Sequence, residues 1–136
     1  MPEHKSTVEL QLRYGDMDTL GHVNNAVYLT YFELGRIDLL KKHDLLNNLD
    51  EINFVIARAE IDYRKAITLF SNPVLETYIG KTGNTSVSFE HVIYEKGSGD
   101  IYCEGRTVAV FLRNGKKENV PDAIRAISNG HAGAML

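Results

Sequence analysis

Cysteine is almost missing from this chain: Cys103 is the only one in 136 residues, so no disulfide can close within it. The opening MPEHKSTVEL has no apolar core of the kind a secretory leader carries, and the expected setting is a reducing cytoplasm. No apolar run approaches the roughly 20 residues that cross a bilayer, which excludes a membrane-spanning helix. Excess charge of one sign is missing too. Lys and Arg number 15 against 18 Asp and Glu, and a net charge of -3 gives no reason to expect a nucleic-acid partner. Internal repeats, linkers and low-complexity blocks are absent, so residues 1–136 are expected to form one domain.

What is present is an ordinary globular composition, 43% hydrophobic and 24% charged. Residues 7–14, TVELQLRY, alternate strictly, with Val8, Leu10, Leu12 and Tyr14 on one face, and predict a half-buried strand. From Ala26 to about Asp44 no proline occurs and apolar residues recur at three- and four-residue spacing: Val27, Tyr28, Tyr31, Phe32, Leu34, Leu39 and Leu40. That spacing predicts a helix with other structure around most of it, and Gly35 in its middle implies a close approach by a neighbouring backbone.

After residue 52 the period becomes two. Val55, Ala57, Ala59, Ile61 and Tyr63 fall on one side, with Arg58, Glu60, Asp62 and Arg64 on the other. PVLETYIGKTG, NTSVSFEHVIYE and IYCEGRTVAVFL follow, separated by Gly83-Asn84 and EKGSGD, and the four successive strands predict an antiparallel meander. Pro121 precedes a short helix over 122–128, and the tail NGHAGAML is expected to fray. The whole is an α+β chain whose curved, five-stranded antiparallel sheet wraps one long central helix. One helix cannot cover such a sheet, so a second subunit is expected.

Between first strand and helix lie residues 15–25, GDMDTLGHVNN, a long polar connection. The helix start offers unsatisfied amides near Asn25 and Ala26, suited to an anion or a polarised carbonyl oxygen. A carboxylate upstream, Asp16 or Asp18, can act on the same point as base or nucleophile. The plainer roles are Asx-turns for the aspartates, a helix cap for Asn24 or Asn25 and a loop tie for His22. No further oxygen ligands follow at the spacing a hard metal ion needs. Cys103, within a strand pattern, reads as a small buried hydrophobe.

The stretch RYGDMDTLGHVNNAVYLTYFELGR, residues 13–36, resembles the acyl-CoA thioesterases of the hotdog fold, in particular the group related to 4-hydroxybenzoyl-CoA thioesterase. Asp18, the GHVNN of residues 21–25, Tyr28, Glu33 and Arg36 carry the likeness, which extends through residues 57–67, 80–90 and the RTVAVFL strand. The resemblance implies a thioester hydrolase in which Asp18 is base or nucleophile and the Asn25 backbone amide is the oxyanion donor. His22 then belongs to the catalytic loop and Asp16 supports it, while Tyr28 and Glu33 line the substrate pocket. It also implies a homodimer or homotetramer, an acyl-CoA substrate and no metal or redox cofactor. Acyl-carrier-protein thioesterases share a similar HVNN, so acyl-ACP stands as the alternative, as does a non-catalytic acyl-CoA-binding oligomer. Lys65, Arg64 and Lys81 are candidates for CoA phosphates. At the turn where the type enzyme has a basic cluster this chain has Gly83, Asn84 and Thr85, which implies recognition through amides or other residues.

Overall fold

The computed structural model describes residues 3–46, 53–128 and 131–132. In chain order these form strand β1 (Lys5–Glu9), a 3-10 turn (Tyr14–Asp16), helix α1 (Val27–Lys42), strands β2 (Phe54–Tyr63), β3 (Pro73–Thr82), β4 (Ser86–Glu95) and β5 (Ile101–Arg113), the short β6 (Lys116–Lys117), helix α2 (Asp122–Ala126) and the short β7 (His131–Ala132). The long strands make one sheet in the order β1-β3-β4-β5-β2, with every neighbouring pair antiparallel. The sheet carries one long helix, which is the expected α+β hotdog plan. Among the described residues no helix is long and apolar enough to cross a membrane.

Three expectations need correction. Only β3, β4 and β5 form a meander; β2 pairs with β5 at one edge, and the chain then crosses to β3 near the other. Residues 64–72 are too long for a hairpin turn and are held on the way: Arg64 and Lys65 N–H donate to Tyr102 O (2.8 and 3.1 Å), and Val23 N–H to Ile67 O (2.9 Å). The alternation of β2 is broken by a bulge between Ile56 and Arg58, so Val55 pairs with Val110 on the outer face, away from Ala59 and Ile61. The first strand stops at Glu9: Leu10 N–H still reaches Pro73 O (3.0 Å), but β3 begins there, so Leu12 and Tyr14 have no ladder to join.

At the other terminus α2 is shorter than 122–128 and ends at Ala126, with Ser128 N–H and Oγ both turned back onto Arg125 O. Of the tail expected to fray, residues 131–132 pair parallel with Lys81 and Thr82, and residues 129–130 and 133–136 lie outside the described residues.

Helix α1 lies on the inner face against β1, β3 and β4. Two glycines set its height. A Cβ at Gly35 would overlap Thr77 Oγ1 on β3, so the close approach is made by a side chain of that strand and not by a backbone as expected; a Cβ at Gly105 would overlap the Phe32 ring. In the same row the His91 ring stacks on Phe32 with centroids 4.2 Å apart. Its nitrogens meet hydroxyls on both sides, Thr77 Oγ1 at Nδ1 (3.2 Å) and Thr107 Oγ1 at Nε2 (2.9 Å). Burial pulls this imidazole down to about 3, so it is neutral at physiological pH.

The helix is covered on one side only, not on most sides as its composition suggested. Leu29, Leu34 and Ile37 on α1 and Ile56 and Tyr63 on β2 remain exposed, because α1 reaches across the inner face only as far as β5 and leaves the β2 edge uncovered.

Candidate active site

The polar connection between β1 and α1 is a tight double arm. Asp18 N–H donates to His22 O (2.7 Å), Met17 bridges Val23, and Asn24 N–H donates to Asp16 O (2.8 Å). Gly21 closes the tip with its N–H on Asp18 O (3.1 Å) and a φ of 78°, a left-handed conformation that glycine adopts without strain. The outer arm docks on the crossover through His22 and Thr68.

Within this frame the two aspartates have different jobs. Asp16 is structural: its Oδ2 accepts from Tyr31 Oη (2.8 Å) and from Arg13 N–H (3.1 Å). Asp18 Oδ1 accepts from Leu20 N–H (2.8 Å) and His22 N–H (3.1 Å), as an Asx-turn requires. Its Oδ2 accepts nothing from the described residues, and the side chain is exposed. The Asx-turn reading of Asp18 therefore holds for one oxygen, and the other has no partner among the described residues.

The helix start has a similar economy. Asn24 Oδ1 accepts from Ala26 N–H (3.0 Å) and Asn24 O from Val27 N–H (2.9 Å), so Ala26 is not the free amide that the sequence suggested. The Asn25 N–H has no acceptor among the described residues and is exposed. Its peptide is steadied from the other side, where Tyr63 Oη donates to Asn25 O (3.1 Å) and the Tyr63 ring meets Tyr28 edge-on at 5.0 Å. Burial pushes the Tyr28 hydroxyl up to about 12, which keeps it protonated. The His22 ring makes no hydrogen bond within the described residues. Such a site places a free carboxylate oxygen and a free amide on one short loop, a combination suited to an electrophilic carbonyl.

The other predicted residues are spread out. Lys65 is at the same end of the sheet, 3.6 Å from Asp100 and over the Tyr102 ring at 5.9 Å, and Arg64 pairs with Glu104 at 2.6 Å. Glu33 is exposed on α1, two turns beyond Asn25. Gly83, Asn84 and Thr85, with Lys81, sit at the far end of β3, about 30 Å from its start at the usual rise per residue. Within one chain they do not meet Asp18. The amides of Asn84 and Thr85 have no acceptor among the described residues, while Arg125 Nη2 holds the carbonyls of Gly83 and Asn84 (3.0 and 3.3 Å).

Sequence reasoning missed Tyr31, Tyr63 and Arg125. Tyr31 had a signal, since a tyrosine on the core face of a helix brings a hydroxyl that must find a partner. Tyr63 and Arg125 had none, because their acceptors are distant backbone carbonyls. Cys103 is fully buried and its thiol is pushed up to about 12, which makes it inert, as expected. Three clefts, of about 300, 270 and 260 Å³, are lined without Asp18. The first lies on the outer face, where Glu90 grips Arg106 at 2.7–3.0 Å. Among the described residues no group of three or more His, Cys, Asp or Glu could hold a metal ion.

Residues 12–127 match the family described as the Thioesterase-like superfamily. The chain is similar to the chloroplastic acyl-acyl carrier protein thioesterase ATL3 of Arabidopsis thaliana, 30% identical over 125 residues, covering 88% of this chain and 65% of that protein. Among solved structures, a thioesterase of Thermus thermophilus complexed with coenzyme A and Zn is 36% identical with a TM-score of 0.77, covering 89% of each chain. A predicted thioesterase of Bacillus stearothermophilus is 28% identical with a TM-score of 0.81, covering 95% of this chain and 97% of that one.

Proposed function

The chain belongs to the thioesterase-like superfamily and is a thioester hydrolase, and from that premise we propose that it cleaves acyl-CoA to free acid and CoA at the Asp18 loop. The observation that carries this reading is a carboxylate oxygen and a backbone amide on one short loop, Asp18 Oδ2 and Asn25 N–H, neither with a partner among the described residues. Asp18 Oδ2 either attacks the thioester carbon or removes a proton from the water that does. As the carbonyl becomes tetrahedral its oxygen gains negative charge, and the Asn25 N–H at the helix start stabilises it by on the order of 3 kcal/mol. Collapse breaks the C–S bond. In the water route the proton taken by Asp18 passes to the departing CoA sulfur and the free acid is released. In the direct route CoA leaves as thiolate and water then hydrolyses the acyl anhydride on Asp18, giving the free acid and the proton that CoA takes up. His22 braces the loop through its backbone, and Tyr28, neutral, lines the pocket.

Asp18 is exposed and the apolar faces of α1 and β2 beside it are uncovered, which supports closure by a second copy as a homodimer or homotetramer. In such an assembly the turn of Gly83, Asn84 and Thr85 in a second copy offers the free amides of Asn84 and Thr85 to CoA phosphates beside the Asp18 loop, the Gly83 N–H being held by Ser86 O (2.7 Å), with Lys65 and Arg64 as the cations already there. Light scattering at micromolar concentration is expected to give at least a dimer mass. A monomer mass contradicts the closure. The buried thiol of Cys103 suits a reducing cytoplasm.

The deciding experiment is thiol release from acyl-CoA esters of graded chain length by the wild type and by Asp18→Asn. The amide is nearly isosteric but is neither base nor nucleophile, so kcat is expected to fall by about 10²–10⁴ with KM within a few-fold. Hydrolysis by Asp18→Asn at the wild-type rate overturns the mechanism. The likeness to an acyl-ACP thioesterase favours a second reading, an ACP carrier, and turnover of one acyl group on both carriers separates the two.

A further inference from the structure

Arg36 is a cation on the wrong face of its helix. It shares the sheet-facing side of α1 with Phe32, Leu39 and Leu40 and is only 9% exposed. No ion pair among the described residues includes it. Its one hydrogen bond among the described residues is long, 3.4 Å from Nη1 to Thr107 Oγ1, and that hydroxyl is already engaged by His91 Nε2 at 2.9 Å. A cation held out of water is costly, and burial makes this guanidinium easier to deprotonate than usual, an effect that the Glu33 carboxylate offsets only in part. A guanidinium has only donors to offer, so whatever satisfies the rest of its fork must be an acceptor.

The guanidinium opens onto a cleft of about 270 Å³ whose walls include Ile37, Leu40, Leu46 and Phe54. That volume is at the small end for ligand pockets, about 300–1,000 Å³, and fits one end of a molecule. The cleft is also the far end of a groove between α1 and β2. At the near end Tyr63 Oη meets Asn25 O; at the far end Phe54, the first residue of β2, faces Arg36 and Leu40 across the cleft. Between them the inner face of β2 carries Ile56, Ala59 and Ile61, and α1 carries Leu29 and Ile37, all apolar. From Asn25 to Arg36 the helix advances about 16 Å, and its side chains lean back toward the N-terminus. An extended acyl chain of medium length, with its carbonyl at Asn25, would therefore end near Arg36.

We propose that this cleft receives the distal end of the acyl group and that Arg36 pairs there with a carboxylate, so that the preferred substrates are thioesters of medium-chain dicarboxylic acids. The inference rests on the thioesterase reading above and names its substrate class. Glu33 also lines the cleft, but it is exposed and its charge is screened by water, whereas the desolvated Arg36 forms the stronger pair.

Thiol release from length-matched pairs, from hexanoyl-CoA and adipyl-CoA up to dodecanoyl-CoA and dodecanedioyl-CoA, tests this on the wild-type protein. The carboxyl-ended member is expected to win in kcat/KM by about tenfold or more at the fitting length, mainly through KM. In Arg36→Met the ratio falls to about one or below, and Arg36→Lys, which keeps the charge but loses the fork, retains part of it. Losing a buried residue can unfold the chain, so melting temperatures are read beside the rates and the wild-type ratio is decisive on its own. Equal or faster turnover of the methyl-ended member at every length overturns the inference and leaves the thioesterase reading standing. An undiminished ratio in folded Arg36→Met also overturns it. Thiol release from none of the esters by the wild type overturns both.

Discussion

The two ends of the core are built differently. At the far end α1 buries Leu39 and Leu40 against Ile79, Val87, Phe89 and Phe111, and α2 closes the cluster with Ile124. At the near end the same helix buries Tyr28, Tyr31 and Phe32 beside Tyr102, Cys103 and Ile67. One end is hydrocarbon; the other is edged with hydroxyls, each of which must find an acceptor. Those acceptors lie on the loops or at a strand end: Tyr31 holds Asp16 (2.8 Å), Tyr102 holds Glu95 at the end of β4 (2.7 Å) and Tyr63 holds the Asn25 carbonyl (3.1 Å). Hydrocarbon packing stabilises without direction, whereas a hydrogen bond fixes an atom in place. The far end is thus suited to holding the sheet and helix together, and the near end to aiming a loop.

Substitutions at each end sharpen this contrast. The largest effect on stability is expected from Phe89→Ala, which removes a fully buried ring from the far cluster and should cost about 3–5 kcal/mol by chemical denaturation. Turnover per folded molecule should stay close to wild type; a loss of kcat as large as that of Asp18→Asn would break the division between the two ends.

Next comes acid sensitivity from the junction between the clusters, where His91 lies under Phe32 with Arg36 as the charge acting on it. Its folded pKa, about 3, is below the unfolded value of about 6.5, so between those values the unfolded chain binds a proton that the folded chain refuses. Stability contributed by this residue is intact above about 6.5 and declines as pH falls, by about 1.4 kcal/mol per pH unit until about 3. Denaturation curves of the wild type and His91→Gln across that range should differ in slope by this amount. Parallel curves would show that the imidazole takes its proton while folded.

The smallest effect on stability is expected from Tyr31→Phe. Removing the hydroxyl leaves Asp16 without its helix tether and should cost about 1 kcal/mol. The loop carrying Asp18 then loses its aim, so kcat should drop more than stability does, with KM little changed. Unchanged kcat in Tyr31→Phe would mean that Arg13 N–H and the backbone pairing of the arms suffice to hold the loop.

Local pattern carried the identity of nearly every element. The two-residue alternation placed β2 through β5, the three- and four-residue spacing placed α1 to within a residue or two, and the eleven-residue connection leading into α1 held the candidate acid and amide. These features are legible because each depends on neighbours within a few positions. Strand order was not, because whether β2 pairs with β3 or with β5 is decided by which edges meet after collapse. The bulge at Ile56, the early end of β1 and the bare side of α1 follow from that pairing. So do the finer choices at the site. Spacing alone leaves Asp16 and Asp18 equivalent and only the family resemblance ranks them; Tyr31, brought in from the helix, takes one and leaves the other with a free oxygen. Sequence by itself determined which chemical groups this protein owns, and tertiary structure alone decided which of them remain unsatisfied, because satisfaction depends on atoms contributed from far along the chain.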